Sequence, residues 1–333
     1  MPDNPLLRRL ITIPTVVVLF ALVTVLAPLW LAVGVAVDLT RSLRSGTPWM
    51  TIRGLAFLWV YLLGQVWALV CILVTAPLSR TAKERATVRL QGLWTRWNLA
   101  ALRRVFSLAL EVEGQDRVLP GPILLLSRHV SMVDTLLPAR LIANPFGLRL
   151  RYVLKKELLV DPVLDIGGHR LPNHFIDRRS GESLAEIEAL KRLATDLNTD
   201  EGVLVFPEGT RFTAEKHRRL GARAAGQGGV IGEVAAGYRA VLPPRPGGTL
   251  ALLEASNADV VILAHRGLEG LATARDIWAG GMVGSKVTVA LWRIPHDQIP
   301  AGARERREWL FRAWAVVDEW VTASTPRNGE VPV

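Results

Sequence analysis

Charged positions are unevenly spaced along the chain. From Ile11 to Val37, and again from Gly54 to Leu78, no charged residue occurs. Each run exceeds the roughly 20 residues that a helix needs to cross the hydrocarbon core of a bilayer. The pattern predicts an N-terminal two-helix membrane hairpin over residues 1–78, either spanning the bilayer or entering one leaflet. The first run is too long for a signal peptide, whose apolar core is about 7 to 15 residues. No later run is comparable, which excludes a polytopic transporter. Between Arg80 and Arg104 the polar positions change sign: Arg80, Lys83, Arg85, Arg89, Arg96, Arg103 and Arg104 stand against Glu84 alone. They alternate with Leu90, Leu93, Trp94, Trp97, Leu99 and Leu102, a mixture that suits a helix lying on anionic headgroups. An ordinary amphipathic helix packed on a globular domain is the other reading.

From about Glu113 the periodicity becomes that of short apolar runs alternating with amphipathic stretches. Strands are expected at Pro122–Ser127, Leu148–Leu154, His174–Asp177, Gly202–Phe206, Val260–Ala264 and Lys286–Trp292. Helices are expected at Ser183–Leu197 and Arg304–Thr322, and a loop at Pro243–Gly248. The fold class is α/β, a mixed sheet flanked by helices, occupying residues 79–324 and followed by a disordered tail at 325–333. The segment Gly226–Gly237 is rich in glycine, and the pattern assigns it no purpose.

Composition narrows the class. The 333 residues include 40 Lys+Arg and 30 Asp+Glu, a net charge of +10, with 50% hydrophobic residues. That apolar content excludes a disordered chain. The basic excess suits a membrane surface, and no nucleic-acid-binding motif accompanies it. Cys71, the sole cysteine, lies in the second apolar run, so neither an internal disulfide nor a Cys-based zinc site can form. Lys and Arg flank both runs: Arg8 and Arg9, then Arg41, Arg44 and Arg53, then Arg80 onward. A hairpin puts the N-terminus and the large C-terminal part on one side, expected to be cytoplasmic.

Candidate chemistry sits at strand ends. Arg128-His129-Val130-Ser131-Met132-Val133-Asp134 follows the expected strand at 122–127. A carboxylate five positions from a His can meet it across such a turn, fixing one ring nitrogen's proton and leaving the other as a base. Ser131 reads as a turn residue. A second strand runs into Phe206-Pro207-Glu208-Gly209-Thr210-Arg211, placing a carboxylate, a flexible turn, a hydroxyl and a guanidinium at a sheet edge, as an anionic substrate would require. The bland alternative is a turn braced by a Glu208 to Arg211 ion pair. Lys155, Lys156 and Phe175-Ile176-Asp177-Arg178-Arg179 lie between them.

Together these residues resemble the glycerolipid acyltransferase superfamily, the 1-acyl-glycerol-3-phosphate acyltransferases and their relatives. His129 and Asp134 match its H-x-x-x-x-D motif, Phe175 to Arg178 its second motif and Phe206 to Arg211 its F-P-E-G-T-R motif, in the family order. KKELL at 155–159, RFTAEKHR at 211–218, LPPRPGG at 242–248 and IPHDQIP at 294–300 look like the membrane-bound branch. Where members carry a short apolar strand ending in proline, this chain has Val260 to Arg266. The resemblance implies transfer of an acyl group from acyl-CoA or acyl carrier protein to a lysophospholipid hydroxyl, with no metal, no cofactor and no covalent acyl-enzyme. It implies His129 and Asp134 as catalytic residues, and Lys155, Arg178, Glu208, Gly209, Thr210 and Arg211 as acceptor-binding ones. Two other classes compete: a metal-dependent phosphoester hydrolase, for which one His with one Asp is a poor ligand set, and an inactive membrane scaffold.

Overall fold

The computed structural model describes residues 2–176, 184–271 and 273–323. The expected tail and Arg178 lie outside them. Two compact units divide the chain. One comprises Met1–Ala109, Leu154–Arg179 and Ala274–Ser285, and the other Leu110–Val153, Ser180–Thr273 and Lys286–Val333.

In the first unit the N-terminal half forms four helices: α1 (Pro5–Val25), α2 (Ala27–Ser45), α3 (Met50–Val74) and α4 (Arg80–Phe106). Asn4 starts α1 by accepting the Leu6 and Leu7 N–H groups at 2.9 and 3.3 Å. The first uncharged run is divided: α1 ends at Val25, and Pro28 falls in the first turn of α2, where its missing N–H costs nothing. Among the described residues two helices, α1 and α3, are long and apolar enough to cross a membrane. Asp38, buried near the end of α2, accepts the Thr51 and Ile52 N–H groups at 2.9 Å and so caps α3. Ala68 and Ile72 of α3 pack with Leu90 of α4, and Trp94, Val163 and Ile166 close round them.

Helix α4 buries Leu90, Leu99, Leu102 and Phe106. Arg85, Arg89, Leu93, Arg96, Trp97, Arg103 and Arg104 are exposed. One side of the helix is therefore ordinary core, and the other keeps the mixed cationic and aromatic character seen in its sequence.

The helix Pro162–Arg170, not expected from the sequence, carries the electrostatic anchor of this unit. Its Asp165 is fully buried and takes Arg8 at 2.9 and 3.1 Å, Arg9 at 3.1 and 3.2 Å, and His169 at 3.2 Å. Burial alone would raise the Asp165 pKa, but the two arginines hold it below the ordinary carboxylate value.

Seven strands are hydrogen-bonded in the order β1-β7-β6-β2-β5-β3-β4: β1 (Ala109–Glu113), β2 (Ile123–Ser127), β3 (Arg149–Lys155), β4 (His174–Ile176), β5 (Glu201–Val205), β6 (Asp259–Arg266) and β7 (Lys286–Ile294). In the second unit β2 is the centre, parallel to both β5 and β6, while β7 runs antiparallel to β6. β2 is buried at every position, as its unbroken Ile-Leu-Leu-Leu run requires of a parallel strand covered on both faces. Gly202 of β5 is obligatory on steric grounds, since an added Cβ would lie 2.7 Å from the Ile123 carbonyl oxygen.

The helices Leu184–Ala194 and Ala303–Thr322 stand where periodicity places them. The latter buries Leu310, Phe311, Trp314 and Val317. The expected loop at 243–248 is shorter than anticipated, because the helix Pro246–Ala255 starts inside it with Pro246 in its first turn. The glycine-rich stretch holds a helix, Gly229–Ala236, in which a Cβ on Gly232 would meet the Ala225 carbonyl at 2.7 Å. Close passage of the chain over the end of the preceding helix, Ala214–Ala225, explains that glycine.

Asp165→Ala leaves the Arg8 guanidinium, 4% exposed, buried without its counter-ion, and should cost about 3 to 5 kcal/mol. Arg9→Ala removes a partner that is 29% exposed and should cost about 1 kcal/mol or less. Thermal unfolding in detergent checks the contrast. Because the folded pKa of Asp165 is depressed, its contribution is present above the unfolded carboxylate value and is lost as pH falls through the folded one. Acid unfolding of the wild type, but not of Asp165→Ala, should carry that component.

Candidate functional site

The register of the parallel strands brings the motif loops together. Leu126 of β2 lies beside Val205 of β5, and Ser127 beside Leu263 of β6, so β2 and β5 finish together while β6 runs three residues further, to Arg266. Crevices outside such strand ends are where open α/β sheets bind ligands.

The turn after β2 is organised by one carboxylate. Asp134 is fully buried, and its Oδ2 accepts the Val130 and Ser131 N–H groups at 2.6 and 2.7 Å. Its Oδ1 lies 3.0 Å from His129 Nδ1. Burial by itself would raise the Asp134 pKa; His129, His265 and the Ser131 N–H together hold it below the ordinary value. An ionised carboxylate only accepts, so His129 Nδ1 carries the proton and Nε2 holds the lone pair. The His129 ring leans on Phe206, with centroids 4.4 Å apart, and is 8% exposed. Ser131 is a turn residue, its Oγ accepting the Val133 N–H at 3.1 Å.

Arg128, 1% exposed, ties the neighbouring segments to this turn. Its Nη1 donates to the His265 carbonyl at 2.6 Å and to Glu269 Oε1 at 2.7 Å, and its Nη2 to the Ala240 carbonyl at 2.8 Å. Residues 239–241 are in turn held by Asp318, which accepts the N–H groups of Arg239, Ala240 and Val241 at 2.9, 2.6 and 3.0 Å. The same loop covers the Phe206–Arg211 motif: the Arg245 N–H donates to the Pro207 carbonyl at 2.8 Å. Beside Arg128 opens a cavity of about 630 Å³ lined by Phe212, Arg239, Arg266, Glu269 and Lys286 among others.

The residues expected to bind the acceptor separate into three groups. Glu208 is held by backbone. It is fully buried, Oε1 taking the His129 N–H at 3.1 Å and Oε2 the Leu242 N–H at 3.2 Å. It braces the turn after β2, making its contacts to backbone and not to Arg211. Burial pushes its pKa up to about 8, against the pull of Arg128. Gly209 adopts φ +67°, a left-handed turn in which a Cβ would also meet Arg245 Cδ at 2.7 Å. Thr210 Oγ1 accepts from Lys216 Nζ at 3.0 Å, and Lys216 also reaches the Arg211 carbonyl at 3.1 Å. Arg211 itself is half-buried at the mouth of this turn. Lys155 ends β3 within the first unit.

Sequence reasoning missed Lys216, His265 and Asp318. Lys216 lay within a quoted motif with no role attached. His265 stood in the segment noted as a departure, and Asp318 carried no local signal at all. Among the described residues no group of three or more His, Cys, Asp and Glu side chains could hold a metal ion.

Residues 109–264 match the Acyltransferase family. The chain is similar to the lyso-ornithine lipid O-acyltransferase of Pseudomonas aeruginosa, 32% identical over 149 residues, which are 44% of this chain and 54% of that protein. It is also similar to that organism's 1-acyl-sn-glycerol-3-phosphate acyltransferase, 31% identical over 147 residues, again 44% and 54%. The chain thus spans about half the length of these curated relatives. Among solved structures, the 1-acyl-sn-glycerophosphate (LPA) acyltransferase PlsC of Thermotoga maritima superposes with a TM-score of 0.56 at 17% identity, covering 83% of this chain and 98% of that one. That likeness shows a shared fold. With both motifs at adjacent strand ends and the family match running through them, the segment 109–264 is similar to the glycerolipid acyltransferases.

Proposed function

We propose that the protein is a membrane-bound O-acyltransferase that moves a fatty acyl group from a thioester, acyl-CoA or acyl carrier protein, to the free hydroxyl of a lysophospholipid such as 1-acyl-glycerol-3-phosphate. The observation that carries this reading is the His129–Asp134 pair, closed at 3.0 Å through Nδ1. An alcohol attacking a thioester carbonyl must lose its proton as the new C–O bond forms. His129 Nε2 takes that proton, and Asp134 stabilises the imidazolium. Collapse of the tetrahedral species breaks the C–S bond, and the imidazolium returns the proton to the departing thiolate. The enzyme needs no nucleophile of its own, and Ser131 is occupied in its turn.

Arg211 supplies the charge for an anionic acceptor headgroup, on a turn whose shape Gly209 and the Lys216–Thr210 contact maintain. The helices α1 and α3 anchor the protein, and the exposed Arg85, Arg89, Arg96 and Trp97 of α4 lie against anionic lipid on the cytoplasmic side. A lyso-ornithine lipid is the second acceptor class, supported by the first of the named relatives. The hydrolase reading has no ligand set to build on among the described residues.

The direct test incubates purified full-length protein with labelled acyl-CoA and a panel of lysolipids that includes lysophosphatidate and lyso-ornithine lipid. Radioactive diacyl product from at least one of them is expected. His129→Ala should lower turnover by about 10² to 10⁴-fold without loss of folding. Asp134→Asn should be similarly impaired, since an amide cannot stabilise the imidazolium. Near-normal turnover in the His129 variant would overturn the mechanism.

Arg211→Gln should raise the KM for a phosphate-bearing acceptor about tenfold or more, because a charge-assisted hydrogen bond is worth roughly 1.5 to 3 kcal/mol. The donor KM should change much less. A lowered melting temperature with unchanged acceptor KM would assign Arg211 to the turn's stability alone.

A further inference from the structure

The penultimate residue of β6 is a second histidine that the proposed acid–base chemistry does not use. His265 is fully buried. Its Nε2 lies 3.1 Å from the Arg128 carbonyl and 3.6 Å from Asp134 Oδ2. A carbonyl oxygen can only accept, so Nε2 carries the proton, and the neutral ring's lone pair sits on Nδ1. Nδ1 is buried without a hydrogen-bond partner. Leaving a polar atom so placed costs stability, and Leu or Val would fill a strand position between Ala264 and Arg266 without that cost. Packing alone therefore does not account for a histidine here.

The contact with Arg128 is reciprocal. His265 Nε2–H donates to the Arg128 carbonyl, and Arg128 Nη1 donates to the His265 carbonyl at 2.6 Å, while the Arg128 N–H reaches Leu263 at 3.1 Å. The peptide so fixed is the one that leads into His129.

We propose that His265 is a positioning residue for the His129–Asp134 pair. Its Nε2–H pins the Arg128 carbonyl, which fixes where the His129 ring begins. The same N–H dipole points its positive end toward Asp134 Oδ2 and tempers the carboxylate's hold on the His129 ring. Burial keeps His265 neutral, lowering its pKa to about 4 against the opposing pull of Asp134. The charged groups around it are Asp134 from the turn after β2, Arg128 at the end of β2 and Glu269 beyond β6. Glu208, from the turn after β5, faces the same cluster through the His129 backbone.

The inference rests on acyl transfer by His129, and the experiment separates the two. Full-length wild type, His129→Ala, His265→Leu and His265→Gln are compared for kcat, acceptor KM, the pH profile of kcat and melting temperature. His265→Leu should lose about tenfold or more in kcat, as a small misplacement of a catalytic group does, with acceptor KM within twofold. The acid limb of its profile should move to higher pH, because Asp134, relieved of the dipole, holds the protonated His129 ring more tightly. His265→Gln, whose amide N–H can replace Nε2–H, should recover most of both effects. A His265→Leu enzyme with wild-type kcat and an unmoved acid limb would overturn the proposal. So would a loss in both variants that tracks melting temperature and leaves the profile in place. Activity retained by His129→Ala would instead overturn the underlying mechanism, whatever the His265 variants do.

Discussion

A buried guanidinium holds the second unit's functional edge together. Arg128 is 1% exposed, and its charge is met by one carboxylate, Glu269, and by the carbonyls of His265 and Ala240. Removing a charge of this kind from water is expensive unless every partner is in place. Three segments far apart in sequence are therefore constrained to arrive together at the end of the central strand. The His129–Asp134 pair begins at the next residue. Its geometry is thus inherited from a structural ion pair, which supplies rigidity that the pair does not have to provide.

The two acids near His129 show how environment assigns different tasks to the same functional group. Asp134 accepts two backbone N–H groups and faces two imidazoles, and stays ionised. Glu208 accepts one N–H on each oxygen and is covered by the loop at 239–245, so burial dominates. One is matched to the two imidazoles beside it. The other is matched to backbone that never changes charge.

Much of this was legible because it is local. A His and an Asp five positions apart, and a strand running into Pro-Glu-Gly-Thr-Arg, carry their geometry within a single turn. The strands β2, β5, β6 and β7 were legible for the same reason, being continuous or alternating apolar runs. What was hidden depends on distant partners. Glu208 reads as an exposed turn acid until Leu242 is folded over it. His265 reads as an oddity in an apolar strand until Arg128 comes to lie beside it. The helix Pro162–Arg170 carries Gly167 and Gly168, which weaken any helical signal, yet Gly168 is needed because a Cβ there would lie 2.7 Å from the Phe175 ring. β1 was missed because a short edge strand with two glutamates has little apolar signature. The first apolar run was read as one helix, although Pro28 divides it.

Asp318 lies in the last helix of the described chain, yet it cradles residues 239–241, which in turn receive Arg128. On the ribosome the apolar helices emerge first, and both motifs are made more than 100 residues before this carboxylate. Throughout that interval the loop over the Phe206–Arg211 motif lacks its clasp. Translation of the final helix is thus the step that closes this clasp and locks the turn after β2.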